Sequence, residues 1–149
     1  MKREIVVMCG VSHSGKTTYA KNRYPKYRYI NSDEIRIGMF NSRKISNNES
    51  VVWSMFSRKK FDAINKGENI VLDACHISST SRYHALNGVP SNYKKVLVLM
   101  DTSKKVLMKR VEKEKRIDFG IVESMINSFL KPTANDGFDK IIVVKTTDK

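Results

Sequence analysis

Gly10, Gly15, Lys16 and Thr17 stand in the stretch GVSHSGKTT, residues 10–18, directly after the apolar run IVVMC. Glycines at both ends of a short loop let the backbone curl so that successive N–H groups point at one anion. A helix starting at the end of the loop adds the positive end of its dipole. A lysine and a hydroxyl residue behind the second glycine suit a phosphate chain and its metal: Lys16 reaches the terminal phosphates, and Thr17 offers an oxygen to Mg²⁺. The spacing is that of a Walker A loop. It predicts an ATP site formed by Gly10, Val11, Ser12, His13, Ser14, Gly15, Lys16, Thr17 and Thr18, with backbone amides making the contacts and the His13 side chain incidental.

Such a loop holds the phosphate donor and leaves the acceptor unnamed. The stretch INSDEIR, residues 30–36, bears on the acceptor. Ser32 reads as a helix N-cap, with Asp33 and Glu34 in the first turn, where acids complement the helix dipole. Capping does not account for Arg36, three residues after Asp33 on the adjoining face. In phosphoryl transfer, a carboxylate that takes the proton of the incoming hydroxyl pairs naturally with a cation that steadies a nearby phosphate. That assigns Asp33 as base and Arg36 as acceptor clamp. Asp73 closes the apolar run NIVLDA and is placed to complete a magnesium site with Thr17 through water. Asp101 closes KVLVLMD in the same way, but Thr102 and Ser103 follow before a helical stretch, so its expected job is capping.

These residues need a scaffold that brings strand ends together. Residues 4–9, 69–74, 95–100 and 140–144 are rich in Val, Ile and Leu without polar alternation, as in strands buried on both faces, and residues 27–30 could add a fifth. Helical patterns fall at 16–22, 33–40, 50–65, 80–86, 103–112 and 121–129. Strands alternating with helices specify an α/β domain with a mainly parallel sheet, and ligands of such sheets bind at the carboxyl ends of the strands. Gly10, Asn31 to Asp33, Asp73 and Asp101 all lie at or just past such ends. The polar stretch NSRKISNNES, residues 41–50, reads as a loop.

The 149 residues suit one domain, 1–149, and the 40% hydrophobic and 29% charged composition excludes a disordered or fibrous chain. No stretch approaches the ~18 apolar residues of a membrane span, and none resembles a secretory leader, so the expected location is the cytoplasm. Cys9 and Cys75 each end a strand-like run and read as small buried side chains rather than as a disulfide or zinc site. A formal charge of +13 favours phosphate-rich partners through its long-range field.

Taken together, GVSHSGKTT, NSDEIR and LDACHISSTSR resemble the 5′-hydroxyl polynucleotide kinase domain and its relatives among small P-loop kinases, including zeta-toxin-like kinases. The resemblance implies a P-loop NTPase three-layer sandwich with about five strands, a small helical lid near residues 110–120, and ATP with Mg²⁺ as cofactors. It gives Asp33 the 5′-hydroxyl and Arg36 the adjacent phosphate, and it lines the acceptor side with Asp73, His76 and Arg82. The Thr-Asn pair usual in that family is replaced here by Ala74-Cys75-His76. The stretch KKVLMKRVEKEKR, residues 104–116, resembles the lid, whose arginines would be Arg110 and Arg116. The tighter R-x-x-x-R of many relatives would put the second arginine at Glu114. The expected activity is ATP-dependent phosphorylation of a DNA or RNA 5′-hydroxyl end, as in nucleic acid repair. The alternatives are a kinase for a nucleoside, nucleotide or sugar, and an NTP-binding regulatory module.

Overall fold

A computed structural model describes residues 3–42, 49–114 and 118–146. Its strands are β1 (Arg3–Cys9), β2 (Arg28–Asn31), β3 (Ile70–Asp73), β4 (Tyr93–Thr102) and β5 (Lys140–Thr146). Its helices are α1 (Lys16–Arg23), α2 (Ser32–Phe40), α3 (Glu49–Asn65), α4 (Ser79–Leu86), α5 (Lys104–Glu114) and α6 (Phe119–Ser128). The strands form one parallel sheet in the order β2-β3-β1-β4-β5. With every strand running the same way, all carboxyl ends meet along one edge. Burial on two sides explains the apolar runs of β1, β3 and β4, whereas β5, expected to be buried on both faces, is an edge strand with no buried residue and leaves Ile141 and Val143 exposed because only β4 flanks it. Ile5, Val7, Ile30, Ile70 and Leu72 pack against α2, α3 and α4 through Ile35, Val52, Phe56, Ala63 and Ala85. Val6, Met8, Val71, Val96 and Val98 pack on the other side against Ala20 and Tyr24 of α1 and its following turn.

Two boundaries differ from the sequence reading for local reasons. The N-cap of α2 is Asn31, whose Oδ1 accepts from the Glu34 amide at 2.9 Å, and Ser32 is already inside the helix. Asp101 lies within β4 and is exposed, while the Ser103 hydroxyl accepts from the Val106 amide at 3.3 Å at the start of α5. Most of the loop expected at 41–50 lies outside the described residues, and its last two residues open α3. No helix among the described residues is long and apolar enough to cross a membrane.

Lys60 is the one lysine of α3 driven into the core, at 2% exposure. Its ammonium donates to the carbonyls of His84, Ala85 and Asn87 at 3.1, 3.2 and 2.9 Å, closing the carboxyl end of α4 where the helix dipole is negative. Burial pushes its pKa down to about 8, so at neutral pH the charge persists. Replacing Lys60 by Met keeps the volume, leaves those carbonyls without their donor and relieves a buried charge. The first effect is the larger, and denaturant unfolding of Lys60→Met is expected to read a net loss of about 2 kcal/mol.

Candidate active site

The loop between β1 and α1 is shaped by its glycines and gripped from outside. Gly15 sits at φ 94°, in the left-handed region, and a Cβ on Gly10 would meet the Ser14 hydroxyl at 2.6 Å. Three carbonyls of the loop are taken by side-chain donors. Lys16 Nζ donates to Val11 at 2.9 Å, Arg110 Nη1 to His13 at 2.9 Å and Thr102 Oγ1 to Ser14 at 3.0 Å. Across a trans peptide the C=O and the next N–H point opposite ways, so Thr102's hold on Ser14 turns the Gly15 amide toward the loop's interior. The Ser14 hydroxyl is fully buried there and has no hydrogen-bond partner among the described residues. A curled backbone, a lysine ammonium at 9% exposure and an orphaned hydroxyl fit a phosphate chain.

Asp73 gathers the neighbouring strand ends. Its Oδ2 accepts from Thr17 Oγ1 at 2.8 Å, from Asn31 Nδ2 at 3.0 Å and from the Tyr29 hydroxyl. Asn31 also donates to the Tyr29 oxygen at 2.7 Å. Burial, reinforced by the Asp73 charge, pushes the Tyr29 phenol above its ordinary value, so it stays a donor. Thr17 and Asp73 present hard oxygens at the amino end of α1, the donor chemistry that Mg²⁺ takes with water.

Asp33 and Arg36 lie on α2, which leaves β2 at the same edge. Asn31 pairs with Asp73 in register, and β1 lies one strand beyond, so α2 starts about two strand spacings, roughly 10 Å, from the end of β1. Arg36 Nη1 donates to Asp33 Oδ1 at 2.8 Å, and the Asp33 side chain is 46% exposed. Arg36 itself is buried at 7% exposure, with its fork set on Glu49: Nε donates to Oε2 at 2.9 Å and Nη2 to Oε1 at 2.6 Å. Glu49 was hidden in the stretch read as a loop. Only its position at the start of a helical pattern, four residues before Trp53, could have marked it.

His76 and Arg82, expected on the acceptor wall, are placed inside the protein. Arg82 is 1% exposed, donating to Asp136 Oδ2 at 3.1 Å and to the His76 carbonyl at 2.9 Å, and so ties α4 to the segment before β5. The His76 ring is packed under the phosphate loop, its Nδ1 donating to the Met8 carbonyl at 2.7 Å. Burial pushes its pKa down to about 4, so it is a neutral brace at pH 7.

His13 is not incidental. Its Nε2 lies 2.5 Å from Glu114 Oε2, its Nδ1 lies 2.9 Å from the Ser12 hydroxyl, and its carbonyl receives Arg110. The residue that breaks the arginine spacing of the resembled lid is thus fastened to the phosphate loop. Leu107, Val111 and Val122 pack against Val11 beside it. Arg116 lies outside the described residues.

The sequence profile of a family described as an AAA domain matches residues 5–132. No curated protein sequence matches the chain. Among solved structures, a sugar kinase from Janibacter sp. HTCC2649 has a TM-score of 0.72 at 18% identity, with 97% of this chain and 86% of that one covered. A chain of the Pnkp1/Rnl/Hen1 RNA repair complex gives 0.76 at 18% identity over 85% of this chain and 44% of its own, so this chain spans less than half of it. A gluconokinase from Sinorhizobium meliloti 1021 gives 0.62 at 18% identity, with 99% and 85% covered. The shared architecture is the P-loop kinase fold, a nucleotide-binding scaffold for phosphoryl transfer.

The buried imidazole sets a pH dependence. In the unfolded chain His76 titrates near 6.5, whereas in the fold it resists protonation down to about 4. Below pH 6.5 the unfolded state therefore binds the extra proton, and stability falls with pH until about 4. Its share of that loss is about 3 kcal/mol at most. Unfolding free energies measured from pH 7.5 to 4 should fall less steeply for His76→Gln than for the native chain.

Proposed function

The chain belongs to the AAA domain family matched over residues 5–132, and on that premise we propose that it is an ATP-dependent kinase phosphorylating the 5′-hydroxyl of a DNA or RNA end. The observation that carries the reading is the Asp33–Arg36 pair standing on the same sheet edge as the Thr17–Asp73 pair, with Lys16 opening α1 beside them. In this reading the amides of residues 10–18 and Lys16 hold the triphosphate, and Thr17 with Asp73 would hold Mg²⁺. When bound, the metal supplies positive charge against the phosphate oxygens. Asp33, half-exposed and aligned by Arg36, accepts the proton of the acceptor hydroxyl as its oxygen bonds to the γ-phosphorus and ADP leaves.

Arg36 has five N–H groups. One goes to Asp33 and two to Glu49, and a fourth lies 3.5 Å from the Ser32 hydroxyl. The one left suits a single oxygen of the phosphate next to the reacting hydroxyl. Arg110, fixed at the phosphate loop, is the candidate for offsetting charge on the donor phosphates, with Arg116 expected to follow it. The charge of +13 supplies attraction to a polyanion without any base code.

A second reading, a kinase for a small neutral acceptor such as a sugar, is favoured by the same Arg36. Two of its nitrogens are already neutralised by Glu49, and a neutral acceptor asks nothing more of it. Likeness to a sugar kinase and a gluconokinase supports that scaffold use.

Incubation with γ-labelled ATP and a panel of 5′-hydroxyl DNA, 5′-hydroxyl RNA, nucleosides and sugars separates the two. Label on oligonucleotides, with acceptor KM rising steeply between 50 and 200 mM salt, is the expected result; label on sugars alone overturns it. Asp33→Asn should lower kcat by roughly 10²- to 10⁴-fold while ATP binding, read by calorimetry, is retained. Lys16→Ala should weaken ATP binding itself.

A further inference from the structure

We infer that Trp53 is the stacking platform for the terminal nucleobase of the acceptor, a specificity-determining residue of the site proposed above and dependent on that reading. Trp53 is the sole tryptophan of the chain and is 39% exposed. It lies one helical turn after Glu49 on α3, on the same face. The guanidinium carbon of Arg36 lies 5.7 Å from its ring centroid, and the same guanidinium donates to Asp33 at 2.8 Å. The indole is therefore one side chain removed from the carboxylate that would meet the acceptor hydroxyl.

A second observation fixes which way this wall runs. Trp53 meets Phe56 edge-on at 5.2 Å between centroids, and Phe56 meets His76 at 6.2 Å. His76 in turn is bonded to the Met8 carbonyl just below the phosphate loop. The row thus leads from the floor of the site, where Phe56 and His76 are buried, out to an indole left half-open. A large aromatic ring exposed at the end of a packed row, beside a buried guanidinium, fits a flat π-faced ligand with a phosphate on its other side. A nucleotide end has that form. Stacking accepts every base, which suits an end-directed enzyme with no sequence code.

The test compares native protein, Trp53→Ala and Trp53→Phe on a 5′-hydroxyl oligonucleotide and on the same oligonucleotide with an abasic terminal residue, alongside tryptophan fluorescence of the native protein titrated with each. Trp53→Ala is expected to raise acceptor KM by roughly ten- to a hundredfold on the base-bearing end and to leave the abasic end and ATP binding unchanged. Trp53→Phe recovers most of the loss, and only the base-bearing oligonucleotide quenches the indole. Equal KM for native and Trp53→Ala, or an equal loss on both oligonucleotides, overturns the platform while leaving the kinase reading standing. If the native chain labels only small acceptors, the polynucleotide reading fails by itself. Free nucleosides that still quench the indole would then keep the platform for a smaller acceptor, and unchanged fluorescence would overturn it too.

Discussion

One carboxylate oxygen holds the site together. Asp73 Oδ2 takes hydrogen bonds from Thr17 at the start of α1, from Tyr29 and Asn31 at the end of β2, and stands itself at the end of β3. Three separate chain segments converge on it, and their relative positions at the sheet edge follow. Because the strands are parallel, the same contact that aligns Thr17 also sets where α2 departs, and with it Asp33 and Arg36. The cost of placing a charge at 2% exposure is offset by the number of donors turned toward it.

The electrostatics change character along that edge. Around the phosphate loop, side-chain donors occupy the carbonyls of residues 11, 13 and 14, so positive character faces the loop's interior. Around α2, carboxylates of Asp33 and Glu49 flank a single buried guanidinium. In the function we propose, a phosphate chain would occupy the first environment and the acceptor hydroxyl the second, the division that phosphoryl transfer requires. Beneath both, His76 and Arg82 act as braces: the imidazole is kept neutral by burial, and the guanidinium is committed to Asp136.

Local chemistry made the scaffold readable. Four uninterrupted Val, Ile and Leu runs predicted strands, and all four appear in the sheet together with the shorter candidate at residues 27–30, although β5 at the edge is not buried on two faces as expected. The glycine loop was legible because its function is in its backbone. What sequence could not yield was pairing across distance. Glu49 looked like loop, since nothing local says that a carboxylate will meet an arginine 13 residues earlier. Arg82 was put on the acceptor side by the family resemblance alone; a buried arginine and an exposed one have the same local pattern, and only the fold brings Asp136 to it from 54 residues away. His13 looked idle for the same reason, its partner being at the far end of α5.

That last contact has an evolutionary corollary. The shape of a six-residue turn at one end of the chain is enforced by a helix whose Arg110 lies 97 residues downstream and whose Glu114 closes on the imidazole. Divergent descendants that exchange the histidine for a smaller residue lose the reason to keep an acid at position 114. Position 114 then becomes free to vary, so the two positions should drift as a pair rather than singly.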